Sequence, residues 1–238
     1  MSNISAIFRR EVAGYFGHPL AWIVLTLFVC LLAVFNLWFD DLLTAGVATM
    51  RRPFRWMAAC FLFLVPAITM RLLAEEQRTG SIQILMTLPL RPADIVIGKW
   101  LAAVAMVGAA LCLTLSYPIS LATLGDLDPG PVAAGYLGLF LCGATFAAIG
   151  TAASALTQNQ VIAFLAALTV CGLPWLVGFA MPLVPGAWAP LVQYLTFEYH
   201  FSNLARGVID SRSLVFFASV ILVFLRLAVQ ILEHRRLS

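Results

Sequence analysis

The sequence predicts an all-α integral membrane protein with six transmembrane helices, and three observations carry that expectation. Of the 238 residues, 62% are hydrophobic and 11% are charged, with seventeen Phe and six Trp. A mean hydropathy of +0.98 exceeds what any soluble core requires. The apolar residues also gather into runs of about 20, the length a helix needs to cross the hydrocarbon layer. Five cysteines (Cys30, Cys60, Cys112, Cys142 and Cys171) fall inside those runs. An odd number in lipid without ligand spacing argues against disulfides and against structural zinc. The net charge of +3 is small, and no nucleic acid partner is expected.

In chain order, Ile4, Phe8, Val12 and Tyr15/Phe16 recur at helical spacing, with Arg9, Arg10 and Glu11 on the other faces. The pattern suits an interfacial amphipathic helix or, equally, a plain basic anchor. No small-residue cleavage site precedes a short apolar stretch, so no removable signal peptide is expected. Spans follow at Leu20–Phe39, Phe54–Leu73, Trp100–Leu124, Pro131–Leu156, Val161–Val184 and Leu214–Leu232, making residues 1–238 one transmembrane domain. Pro66 and Tyr117-Pro118 would free backbone carbonyls and bend the second and third spans. In the fourth, Gly143, Ala147 and Gly150 form a small-residue face that lets helix backbones approach closely. Residues 185–212 are apolar and aromatic but broken by Pro185, Gly186 and Pro190. They read as an external helical hairpin before the last span.

Orientation rests on Lys and Arg near the span ends. Six spans put both termini on one side, with Arg9, Arg10, Arg71, Arg78, Arg91, Lys99, Arg235 and Arg236. Arg51, Arg52, Arg55, Arg206 and Arg212 fall on the other. Both termini and the polar segment 74–99 are therefore expected in the cytoplasm.

Catalytic motifs are scarce. The chain has no G-x-x-x-x-G-K-[ST] and no H-E-x-x-H, so it is not expected to be an enzyme or to bind a cofactor or metal itself. Ser154 and His200 fall at opposite ends of the bundle, which excludes an intramembrane serine protease. The spans contain no Asp, Glu, Lys or His, and apart from Arg55 and Arg71 at the ends of the second, Arg226 is the one Arg inside a span, which counts against an ion-driven transporter. It is read as snorkelling to the cytoplasmic surface. Glu198, His200, Arg206, Asp210 and Arg212 cluster before the last span. Two ligands at i,i+2 spacing make a poor metal site, so caps and ion pairs are the default reading, with Asp210 near a helix start.

The segment 74–99 is the most distinctive. Ala74-Glu75-Glu76-x-Arg78-x-Gly80-Ser81, then Leu85-x-x-Leu88-Pro89-x-x-Pro92-x-x-Ile95-x-Ile97-Gly98-Lys99, resembles the first cytoplasmic loop of type-two ABC-transporter permeases. Phe8-Arg9-Arg10-Glu11-x-x-x-Tyr15-Phe16-x-x-Pro19 and Tyr199-His200-Phe201-x-x-x-x-Arg206-Gly207-Val208-Ile209-Asp210-x-Arg212 resemble the gliding-motility-type branch of that family. Ser213 departs from the acidic residue expected there. The resemblance implies a permease subunit of an ATP-driven exporter or envelope extrusion machine in the bacterial inner membrane. A coupling helix would be capped by Ser81 or Thr79, with Ile82, Leu85 and Met86 as its docking face. Glu75, Glu76 and Arg78 would make surface ion pairs that set its orientation, and Gly80 would form the turn. The implied partners are two copies of an ABC ATPase carrying ATP and Mg, a second identical or homologous permease, membrane lipid, and room for a periplasmic or envelope accessory protein. The rival reading is the substrate-capturing membrane subunit of an ATP-coupled importer, which predicts a ligand pocket among the spans.

Overall fold

The computed structural model describes residues 3–17, 19–36, 49–81, 90–179 and 189–237. These residues are helical almost throughout and contain no strand. The elements are α1 (Asn3–Gly17), α2 (Pro19–Val34), α3 (Arg51–Thr69), α4 (Ala74–Arg78), α5 (Pro92–Thr114), α6 (Ser116–Leu124), α7 (Pro129–Leu156), α8 (Gln160–Phe179), α9 (Ala189–Tyr194), α10 (Phe197–Ala205) and α11 (Ser211–Leu237). Among the described residues, five stretches are long and apolar enough to cross a membrane: Arg51–Arg78, Pro92–Leu124, Pro129–Leu156, Gln160–Gly178 and Ser211–Arg235. A sixth arises if α1 and α2, which meet at 69°, count as one bent unit. The surface matches that reading. Ile23, Leu27, Ile119, Leu222 and Val223 are all more than half exposed, which a water-facing surface would not tolerate as a continuous coat.

The α1–α2 corner is tied locally. The Trp22 indole donates to the Phe16 carbonyl at 3.3 Å, and the two rings meet edge to face. On α1 the buried residue is Ile7, which packs where Gly98 of α5 leaves no room for a β-carbon. The face seated on the protein is thus Ile4, Ile7, Glu11 and Tyr15. Glu11 belongs to it, whereas apolar periodicity alone assigns Glu11 to another face.

The helix that carries the expected third span begins at Pro92, ahead of Trp100. Pro at the first helical position and Asp94 in the first turn are ordinary helix-start chemistry. Ile95, Val96, Gly98 and Lys99 are already buried. The polar connection therefore shrinks from 74–99 to 74–91. Where Pro118 was expected to bend the span the helix is interrupted, α5 ending at Thr114 and α6 restarting at Ser116, whereas Pro66 lies inside an unbroken α3. Pro118 has no N–H to offer the carbonyl four residues back. That carbonyl, on Thr114, instead accepts the Tyr136 hydroxyl at 2.9 Å.

Helix α7 is the axis, packed against α3, α5, α8, α10 and α11. Asp128 caps its start by accepting from Gly130 N at 3.0 Å. Its small residues are filled from within the chain. A β-carbon at Gly135 would strike Phe54, at Gly143 Val107, and at Gly150 Thr69; Ala147 is fully buried between them. The turn from α7 to α8 is short, with Asn159 Oδ1 accepting from Val161 N at 2.9 Å as an N-cap.

Gly108 on α5 has open space where a β-carbon would stand, while Gly150 does not. Gly150→Ala is expected to destabilise the protein by about 1–3 kcal/mol through overpacking. Gly108→Ala should be neutral or stabilising by up to about 1 kcal/mol from helix propensity. Unfolding midpoints of the purified protein in one detergent check the pair, and equal shifts would contradict this packing.

Candidate coupling site at the charged end of the bundle

Helix α3 ends in a turn at 70–73, and α4 starts at once. A helix end leaves backbone groups without partners, and burying them unpaired is costly. Ser154 of α7 meets that need with one hydroxyl. Its Oγ donates to the Met70 carbonyl at 3.0 Å and accepts from Leu73 N at 3.0 Å and Ala74 N at 2.9 Å. The debt is returned at the C-terminus of α7, where carbonyls are left over in turn. Gln77 Nε2 donates to the Ala155 carbonyl at 2.9 Å, and Arg235 of α11 donates to the Leu156 carbonyl at 3.0 Å. A cation at a helix C-terminus is also favoured by the helix dipole.

Beside this junction lies an ion cluster. Lys99 of α5 is 1% exposed, and its Nζ sits 3.0 Å from Glu11 Oε1 and 2.9 Å from Glu76 Oε1. Arg10 Nη2 bridges the same two oxygens at 2.7 and 3.0 Å. A buried ammonium is tolerable only when paired, and here two carboxylates from α1 and α4 converge on it. For Glu11, burial alone would raise the carboxyl. The Lys99 charge and the hydrogen bonds from Arg10 and Lys99 outweigh that and hold it below its ordinary 4.5. The hydroxyl of the half-buried Tyr15 donates to the Ile68 carbonyl at 3.3 Å and adds a link from α1 to α3.

The expected coupling residues divide accordingly. Glu76 is a member of a largely buried cluster rather than of a surface pair, because α1 covers it. Glu75 is half-buried and Arg78 is exposed. Gly80 takes the left-handed conformation, φ 73°, which glycine adopts without strain. Thr79 and Ser81 share a hydroxyl contact at 3.0 Å, and Thr79 donates to the Glu75 carbonyl at 3.0 Å, so both close the end of α4. Ile82, Leu85 and Met86, with any helix they form, lie outside the described residues. On α1, Phe8 and Phe16 are half-buried and Arg9 is exposed.

At the far end, Glu198, His200, Arg206, Asp210 and Arg212 do not converge on one point. The buried His200 ring bonds Ser213 Oγ through Nδ1 at 3.1 Å and the Tyr194 carbonyl through Nε2 at 2.8 Å. It also stacks on Phe216, centroids 4.1 Å apart. Glu198 occupies the space that a β-carbon at Gly178 would need. Asp210 Oδ1 accepts from Arg212 N at 2.9 Å and caps α11. Arg206 and Arg212 are exposed. Ser213, where an acidic residue was expected, thus serves as the histidine's partner.

Sequence reasoning missed Lys99, Glu11, Gln77 and Ser154 as members of one junction. The available signal was Glu11 itself, since the spacing Ile4, Ile7, Glu11, Tyr15 places a charge on the apolar face of α1. Such a charge demands an opposite one from elsewhere.

A family model described as ABC-2 family transporter protein matches residues 39–208, most of the chain. The matched stretch runs from ahead of α3 to just past α10 and leaves α1 outside. No curated protein matches the chain.

Two predictions arise from this geometry. Lys99→Met leaves two carboxylates with the exposed Arg10 as their remaining partner and is expected to cost about 3 kcal/mol, as breaking a buried pair does. Adding Glu11→Gln and Glu76→Gln should recover part of the loss, and unfolding in detergent checks both. Acid should loosen the two ends in different windows. Burial holds His200 below its ordinary 6.5, against the Tyr194 carbonyl and Asp210, which favour the charged ring. The unfolded chain then takes up the proton first, so the stability His200 contributes is full above pH 6.5 and is lost as pH falls through its lowered folded value. Glu11, depressed from 4.5, contributes stability present above that pH and lost only as pH falls through its own folded value. Hydrogen exchange against pH should loosen 197–213 before 3–17.

Proposed function

The chain belongs to the ABC-2 family of transporter proteins, multi-pass membrane subunits that carry no ATPase site and work with a separate ATPase, and on that premise we propose that it is the permease of an ATP-driven exporter or envelope extrusion machine. In this reading segment 74–91 receives the ATPase, and the junction around Lys99 passes its movement into the spans. The observation that carries it is the convergence of α1, α5 and α7 on α4 through the Lys99, Ser154 and Gln77 contacts, with α11 tied to the same end of α7 by Arg235. A docked partner that displaces α4 cannot leave the others behind.

The chain is taken to have six spans, α1 at the membrane surface and α2 as the first crossing. Both termini then face the cytoplasm of a bacterial inner membrane. Arg10, Arg71, Lys99 and Arg235 gather at the α1–α4 end, while Arg51, Arg52 and Arg55 start α3 at the other, which accords with positive charge inside. Helices α9 and α10 then lie at the outer surface. The resemblance of the motifs around Phe8–Pro19 and Tyr199–Arg212 to the gliding-motility-type branch supports assigning it there. Two ATPase copies carrying ATP and Mg, a second permease and an accessory envelope protein complete the assembly.

The importer-subunit reading draws on one observation, an apolar groove of about 530 Å³ between α2, α3 and α8, lined by Phe28, Leu31, Trp56, Phe63 and Phe164. The two readings part on the ATPase contact. Gentle purification of tagged protein should bring down a Walker-type ATPase in stoichiometric amount. Gly80→Val, strained by about 1–2 kcal/mol in the left-handed region, should leave the protein folded and lower coupled ATP turnover about tenfold. Full turnover in the Gly80→Val variant would remove segment 74–91 from the coupling route.

A further inference from the structure

A cleft of about 690 Å³ opens between α1–α2 on one side and α3–α5 on the other. Its volume falls within the roughly 300–1,000 Å³ typical of small-ligand sites. The walls are divided by chemistry. One end carries Arg10, Glu11, Arg71, Glu75, Glu76 and Lys99; the other is formed by Val24, Ala67, Ile68 and Met106. Three cations and three carboxylates leave the polar end neutral overall, so it favours a ligand that is itself a dipole rather than a net ion.

Two groups at that end lack partners. Glu76 uses Oε1 for Lys99 and Arg10, while its Oε2 is buried with no hydrogen bond. An ionised carboxylate oxygen only accepts, so its missing partner must be a donor. The exposed Arg71 guanidinium has no hydrogen bond or ion pair among the described residues, and its fork suits a phosphate. A ligand that satisfies both carries an N–H donor, an anionic phosphate and an apolar body.

We propose that this cleft binds one phospholipid with an ethanolamine headgroup. Its ammonium donates to Glu76 Oε2, its phosphate pairs with Arg71, and its glycerol and first chain carbons lie along Val24, Ala67, Ile68 and Met106. A choline headgroup has the same charges but no N–H and leaves Oε2 unsatisfied. A glycerol headgroup adds net negative charge beside Glu75 and Glu76. The assignment rests on the reading that α1 lies at the membrane surface, where headgroups reside.

The test is native mass spectrometry of the purified complex, delipidated and then exposed to phosphatidylethanolamine, its N-trimethylated analogue (phosphatidylcholine) and phosphatidylglycerol at equal concentration. Retention of one ethanolamine lipid, about tenfold over choline as expected for a lost charge-assisted hydrogen bond, supports the site. Arg71→Ala, a change at an exposed position, removes the partner of the phosphate that all three lipids share and should lower the retention of each about tenfold. Equal retention of the three lipids, or unchanged retention in Arg71→Ala, overturns it. Soluble glycerophosphoethanolamine is added as competitor. Displacement by it at the lipid's own concentration would show that the apolar wall takes no part and would also overturn the lipid assignment. The ATPase content of the same samples is read alongside. ATPase without lipid preference discards the cleft and leaves the permease reading standing, while loss of ATPase speaks to the permease reading alone.

Discussion

A lysine ammonium shut away from water has to be neutralised by its surroundings, and Lys99 settles much of how this end of the protein is built. Its partners come from two other elements, Glu11 on α1 and Glu76 on α4. The pairing therefore fixes the rotation of α1 about its own axis and seats α4 against α5. Such a cluster contributes little net stability over an apolar replacement, since desolvation offsets most of the attraction. What it supplies is register. An apolar patch would let α1 slide or turn by a residue, whereas two carboxylates sharing one ammonium and one guanidinium do not.

The same logic, a buried polar group that must find its partner, recurs along the bundle. The Thr114 carbonyl freed by Pro118 takes the Tyr136 hydroxyl. The backbone groups where α3 ends take Ser154, and the leftover carbonyls of α7 take Gln77 and Arg235. Within a low-dielectric surround each such bond is worth more than in water, and each omission costs more. Ser154, Gln77 and Arg235 stitch α7 to its neighbours at its C-terminal end and Tyr136 does so near its start, while the glycine positions along it rely on shape. There Gly135, Gly143 and Gly150 receive Phe54, Val107 and Thr69.

The long apolar runs were legible because hydropathy and length suffice for them, and α3, α5, α7, α8 and α11 lie where those runs are. The helix starts were less legible. Trp100 looked like the edge of the third span because Lys99 reads as a water-facing charge. Only the fold reveals that α1 closes over it and lets the helix begin at Pro92. Glu76 was misjudged as a surface residue for the same reason. Its cover comes from residues more than sixty positions away, and local pattern holds no record of that. Gly80 and Asp210, by contrast, act through their own turns, and their conformations follow from chemistry within three residues. Ser213 was noted for being the wrong residue, yet its role depends on His200 arriving from α10.

The two ends of the molecule therefore differ in kind. At the α4 end, five helices are bonded through ions and backbone carbonyls, and displacement of one carries the rest. At the α10 end, contacts are mainly aromatic: His200 on Phe216, Phe146 against Phe197, and Trp175 near Phe201. Ring contacts are weakly directional and tolerate sliding, whereas charge-assisted hydrogen bonds of 2.7–3.0 Å do not. If the ATPase docks at α4 as proposed, a push there would move a rigid base, and the deformation would collect in the softer aromatic layer at the opposite end. A subunit that must turn a partner's movement into rearrangement across a membrane needs that asymmetry, and the distribution of polar bonds along α7 provides it.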